Sequence, residues 1–124
     1  MSVVTRARAA VGTPFRLHGR SIDDGLDCVG LAAFALGLDE VATGYAMRRG
    51  DADRVASLIA ATGLTRVEDE RDGDLLMLRS GPGQLHLAIK VPGGMVHADA
   101  GLRRVVERPG TPPWGVLARF RVES

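Results

Sequence analysis

Cys28 is the only cysteine in a chain of 124 residues, and it stands in Asp27-Cys28-Val29-Gly30-Leu31 at the head of an apolar run. Asp27 is a good N-cap, and Leu31-Ala32-Ala33-Phe34-Ala35-Leu36 meets no breaker until Gly37, so the spacing predicts a helix that begins at the thiol. The unpaired backbone N–H groups and positive dipole end of a helix N-terminus favour the thiolate, the nucleophilic form. They are expected to lower its pKa from roughly 8.5. A lone cysteine otherwise reads as a small buried hydrophobe; two histidines further along the chain change that reading.

His86 lies in Leu85-His86-Leu87-Ala88-Ile89 and His97 in Met95-Val96-His97-Ala98, with Pro92-Gly93-Gly94 between the two apolar stretches. This is the pattern of a β-hairpin. With a two-residue turn, at Gly93-Gly94 or at Pro92-Gly93, even positions oppose odd ones and His97 faces the same side as His86 and Ala88. A three-residue loop would reverse the parity and separate the rings. Leu87, Ile89 and Val91 then supply the opposite, core-facing side. Cys28, His86 and His97 together make a nucleophile, a general base and an orienting group, the set needed for attack of sulfur on a carbonyl and protonation of the leaving amine. A zinc site is the rival reading of one cysteine and two histidines, with Asp27, Asp99 or His18 as fourth ligand. Zinc sites usually draw on a closely spaced ligand pair, and no Cys-x-x-Cys or His-x-x-x-His pair occurs, so no metal or cofactor is expected.

The elements that must position these residues change type near Leu64. Before it, apolar residues recur with helical spacing at 3–11, 28–38 and 54–61; after it, short strands at 74–79, 84–91, 95–98, 103–107 and 116–122 are separated by Gly and Pro. Helices followed by a meander of strands predict one α+β domain over residues 1–124. The stretch 39–53, with Gly44, the sole tyrosine Tyr45 and Arg48-Arg49-Gly50-Asp51, reads as a loop near the site, and Pro109-Gly110-Thr111-Pro112-Pro113 as a loop within the domain. A net charge of +1, from 16 basic and 15 acidic residues, provides no field to select nucleic acid or an anionic membrane. The N-terminus lacks the apolar core of a signal peptide and no run approaches the roughly 18 apolar residues of a membrane span. Cytoplasmic synthesis is expected, which leaves later export inside a larger particle open.

Taken in order, Gly12-Thr13-Pro14-Phe15-Arg16, Leu26-Asp27-Cys28-Val29-Gly30-Leu31, Gly73-Asp74-Leu75-Leu76-Met77, His86-Leu87-Ala88-Ile89 and Val96-His97-Ala98 resemble the blocks of NlpC-type cell-wall peptidases. Within that family the chain is most similar to the branch found among phage tail genes and in gene transfer agents. The resemblance implies a papain-like fold with N-terminal helices on a central antiparallel sheet of about five strands. It implies hydrolysis of a peptide bond in the peptidoglycan stem, next to D-glutamate and a diamino acid, with Cys28 as nucleophile, His86 as base and His97 as the orienting third member. Its implied partners are the stem peptide and phage-like tail proteins, with action in the periplasm from a particle. Two positions depart from the family. Phe15 stands where relatives often have a tyrosine whose hydroxyl helps polarise the scissile carbonyl, and Val29 stands where many have serine. The Cys28 N–H remains as an oxyanion donor; Asp27, Phe15, His18 and Tyr45 are the further candidates around the substrate. An amidase or acyltransferase using the same three residues is the alternative activity. A weakly active tail-assembly protein, favoured by Phe15, is the alternative role.

Overall fold

The computed structural model describes residues 2–39, 41, 47 and 51–122. Helix α1 (Val3–Ala9) starts at Ser2, whose Oγ accepts from the Thr5 N–H at 3.1 Å. Helix α2 (Cys28–Leu36) carries no charged residue and buries every residue from Val29 to Leu36 except Phe34, so it is a core helix enclosed by its neighbours. Asp27 caps its start and Gly37, at φ 70, ends it in the left-handed conformation. On its outer side α1 is tied down by the Arg6 Nε–H, which donates to the Ala35 carbonyl at 2.8 Å. Helix α3 (Ala52–Ala60) is amphipathic instead, capped by Asp51 and burying Val55, Ala56 and Ile59 along one stripe. The three helices stand where the helical spacing puts them, with ends shifted by one or two residues.

A two-stranded ribbon, β1 (Arg20–Ser21) with β2 (Gly25–Leu26), precedes α2. The main sheet contains β3 (Thr65–Val67), β4 (Leu75–Gly81), β5 (Gln84–Val91), β6 (Gly94–Asp99), β7 (Arg104–Pro109) and β8 (Gly115–Arg121). Its order is β3-β8-β4-β5-β6-β7 and every pairing is antiparallel. Six strands replace the expected five. The addition is β3, an edge strand of three residues, Thr-Arg-Val, of which two are exposed; it is too short and too polar to show an alternating pattern. Pro-Gly turns close two consecutive hairpins: Gly81 pairs with Gln84 around Pro82-Gly83, and Val91 with Gly94 around Pro92-Gly93. Gly83 and Gly93 take φ 65 and 78, the sign required of the second turn residue when proline sets the first.

The sheet has two apolar faces. Leu75, Met77, Leu87, Ile89, Val96 and Phe120 pack with the helices, each fully buried. Full burial of such a side chain contributes about 1.5–3 kcal/mol, which makes this side the main source of stability. The opposite face carries a smaller cluster of Leu76, Leu78, Ala88 and Met95, against which Trp114 and Val116 pack. At the far end of β8, Arg121 donates through Nε and Nη2 to the two carboxylate oxygens of Asp74, both at 2.8 Å, and thereby pins β8 to the start of β4.

The loop before α2 presses directly on the helix start. A Cβ at Gly30 would collide with the Gly19 carbonyl oxygen, and one at Gly19 would meet the Gly25 carbonyl. These glycines allow two backbones to touch where a side chain would hold them apart, and Gly30 belongs to the motif around Cys28 for that reason. Gly30→Ala is therefore expected to cost about 1–3 kcal/mol in chemical denaturation, because the obstacle is rigid backbone. Gly115→Ala, which would meet nothing within 4 Å, should stay within about 0.5 kcal/mol. Equal costs at the two positions would contradict the close approach.

Candidate active site

Pairing between β5 and β6 runs from Val91 opposite Gly94 to Ile89 opposite Val96 and stops there, although β5 continues back to Gln84 and β6 on to Asp99. Beyond Ile89 the two strands separate. The alternation set by that register puts His86, Ala88 and His97 on one face of the sheet, as a two-residue turn requires. They meet across the gap: His86 Nε2 and His97 Nδ1 are 3.0 Å apart and hydrogen-bonded, with the rings at right angles. His97 is 2% exposed and His86 half-buried.

The N-terminus of α2 enters at the same gap. Unpaired with β6, the Leu87 N–H is directed to the Cys28 sulfur, and the N–H groups of Cys28 and Val29 lie near it; all three favour the thiolate. Asp27 holds this arrangement. Its Oδ1 accepts from the Gly30 N–H and from Arg20 Nη1, both at 2.8 Å, and its Oδ2 accepts from the His18 N–H at 2.8 Å. With both oxygens engaged, Asp27 acts as cap and loop anchor, and it has little capacity left as the substrate contact suggested by sequence.

Burial pushes the Cys28 thiol up to about 11, against the pull of the Leu87 N–H, and the nearby Asp27 charge adds to the rise. This overturns the expected lowering by the helix end: desolvation of the thiolate outweighs the dipole and the N–H donors. Burial also pushes His86 down to about 4, reinforced by His97 and opposed by Asp99. His97 is lowered by burial too, with Asp99 opposing and Arg108 assisting. Burial thus favours the neutral forms of the thiol and of both imidazoles in the resting site.

A cavity of about 700 Å³ contains Cys28, His86 and His97 in its wall. Phe15 and His18 border it as well. The Phe15 N–H is already spent on the Arg103 carbonyl at 2.9 Å, and its ring has no donor. His18 is exposed and sits at φ 64 in the loop that Asp27 anchors. Tyr45 lies outside the described residues; from the same loop, Met47 reaches the cavity. Neither Arg nor Lys occurs among the described lining residues, in a chain that has 16 such cations. The residue that sequence reasoning missed is Trp114, whose ring stands edge-to-face against both imidazoles, 5.5 Å from His86 and 5.8 Å from His97 between centroids. It precedes β8 after a Pro-rich loop, and only its being the sole tryptophan marks it in the sequence. Among the described residues no group of three or more His, Cys, Asp or Glu side chains is arranged to hold a metal ion. No described helix is long and apolar enough to cross a membrane.

No protein-family model matches the sequence, and no curated protein does. Solved structures share the fold. The NlpC/p60 domain of the peptidoglycan hydrolase SagA is 23% identical with a TM-score of 0.59, over 99% of this chain and 97% of that one. The peptidoglycan hydrolase RipB from Mycobacterium tuberculosis is 22% identical with a TM-score of 0.60, over 98% of this chain and 64% of that one. NlpC1 from Trichomonas vaginalis is 19% identical with a TM-score of 0.67; the match covers 97% of this chain and 42% of that one, so the chain spans less than half of the Trichomonas protein. The architecture is therefore the α+β fold of NlpC/p60 domains, as the sequence blocks imply.

A thiol held up near 11 stays protonated through neutral pH and gains thiolate with each step upward. Alkylation of Cys28 by iodoacetamide should accelerate about tenfold per pH unit from pH 7 to 10, since the thiolate is the reacting form. A plateau reached below pH 8.5 would instead mean that the helix end prevails.

Proposed function

We propose that the protein is a cysteine peptidase that cleaves a peptide bond in the peptidoglycan stem. The observation that carries this reading is the bond between His86 Nε2 and His97 Nδ1, which leaves His86 Nδ1 as the ring nitrogen available to the thiol in the shared cavity. For Nδ1 to accept a proton, His86 must carry its hydrogen on Nε2 and donate it to His97. His97 thus sets the tautomer of the base and keeps its ring from turning.

Because thiol and imidazole are both neutral at rest, the proton passes from Sγ to His86 Nδ1 as sulfur bonds to the scissile carbonyl carbon. The backbone N–H groups of Cys28 and Val29 at the start of the helix are the donors offered to the developing oxyanion, Asp27 having taken that of Gly30. Collapse of the tetrahedral species breaks the C–N bond, and His86 returns its proton to the departing amine. Water, deprotonated by His86, then attacks the thioester; the carboxylic acid leaves and the thiol is restored.

Peptidoglycan as substrate is supported by the sequence blocks and by the shared fold of SagA and RipB, both peptidoglycan hydrolases. A place in a phage-like tail, with other tail proteins as partners, rests on the likeness of the segments at 12–16 and 27–31 to that branch.

Release of amino groups from peptidoglycan fragments, followed by mass spectrometry, tests the assignment. Cys28→Ala should abolish it. His86→Ala should cost on the order of 10²- to 10⁴-fold, the usual weight of a lost acid–base group. His97→Gln, which can still accept one hydrogen bond, should keep measurable activity, with His97→Ala below it. Turnover by Cys28→Ala would refute the peptidase, and near-wild-type rates in both His97 variants would remove His97 from the site.

A further inference from the structure

We infer that Trp114 is a positioning residue for the imidazole pair: its indole walls His86 and His97 off from water and holds the two rings in hydrogen-bonding register. Three observations converge on it. The indole meets both imidazoles edge-to-face, at interplanar angles of 77° and 81°, so one side chain restrains both rings at once. It also borders the cavity that contains Cys28. It also packs on the small cluster of Leu76, Leu78, Ala88 and Met95, none more than 2% exposed, which gives the ring a rigid backing.

The need for such a wall follows from the strand gap. Where β5 and β6 are paired, backbone hydrogen bonds fix the spacing of facing side chains; beyond Ile89 they do not. His86 stands on the part of β5 bonded only to β4 and His97 on the part of β6 bonded only to β7, so no backbone ladder joins their two strands there and packing must hold the rings in register. Water entering there would compete for His86 Nε2 and let the ring turn, taking Nδ1 away from the thiol. The inference rests on the reading of His86 as the base.

The charged groups acting on the pair are Asp99 from β6 and Arg108 from β7. Both remain when Trp114 is changed, as do Cys28, Asp27 and His18 in the cavity wall, which isolates the effect of the ring. Histidine-ring titration by NMR on the full, substrate-free chain should show the His86 and His97 midpoints of Trp114→Ala moving up toward 6.5 by about one unit, since removal of the wall relieves desolvation. Trp114→Phe, which keeps an aromatic wall, should restore most of the depression. On a stem peptide, kcat should fall about tenfold in Trp114→Ala with KM changed less than about twofold, the signature of a disturbed base rather than a lost substrate contact. Unchanged midpoints in folded Trp114→Ala, or a phenylalanine variant that titrates like the alanine one, would overturn the inference. If Trp114→Ala fails to fold, the wild type decides, because Trp114 is the sole tryptophan. Its emission should show a quenching step as the imidazoles become charged below pH 6.5, and emission without that step would overturn the inference. The titrations need no substrate, so a wild type that titrates as expected but cleaves no stem peptide would refute the peptidase reading alone.

Discussion

The site depends on a break in one β-ladder. Were β5 and β6 paired along their full length, the Leu87 N–H would face β6, and the space where α2 begins would be closed. Pairing ends at Ile89 and Val96, and that N–H turns to the Cys28 sulfur. A helix start and two strands thereby converge at a point where the sheet has relinquished its own hydrogen bonds. The side-chain bond from His86 to His97 spans the opening. The rest of the fold supports this break. Glycines 19 and 30 let the preceding loop bear on the helix start, and Asp27 ties loop and helix together with three donors.

Desolvation of its ionisable groups is the second property of the site. The thiol and both imidazoles are shifted toward their neutral forms, chiefly by burial. Burial of this kind penalises an ion pair formed before substrate arrives and favours, in the proposed reaction, a proton transfer coupled to attack on the carbonyl. The reactive neutral form spans the wide interval between the His86 and Cys28 values of about 4 and about 11. A broad pH optimum, rather than a narrow one around the usual histidine pKa, follows from this environment.

The sequence was most legible where a short-range rule decides geometry. Asp27 before an uninterrupted apolar run dictates a helix start at Cys28. The parity of a two-residue turn dictates that His86 and His97 share a face, and Pro92-Gly93 forms that turn. Whatever depends on the sum of many neighbours was hidden. The direction of the thiol shift reverses because burial is a property of the assembled fold, whereas the helix end is a local one. Trp114 lies 17 residues beyond His97 and reaches the histidines only because β8 pairs with β4, which in turn pairs with β5. The end of the β5–β6 ladder has no mark in Leu85-His86-Leu87-Ala88-Ile89, which reads as one continuous strand. Edge strand β3 escaped notice because three largely exposed residues show no period.

The central claim is that Cys28 forms a covalent acyl intermediate with the help of the histidine pair. Rapid acid quenching of the protein during turnover of a stem peptide, followed by intact-mass and peptide mass spectrometry, addresses it directly. A mass increment equal to the acyl fragment, located on the peptide containing Cys28 and removed by hydroxylamine, is the predicted result. Turnover with no adduct at any quench time, together with solvent oxygen incorporated into product in a single step, would contradict it.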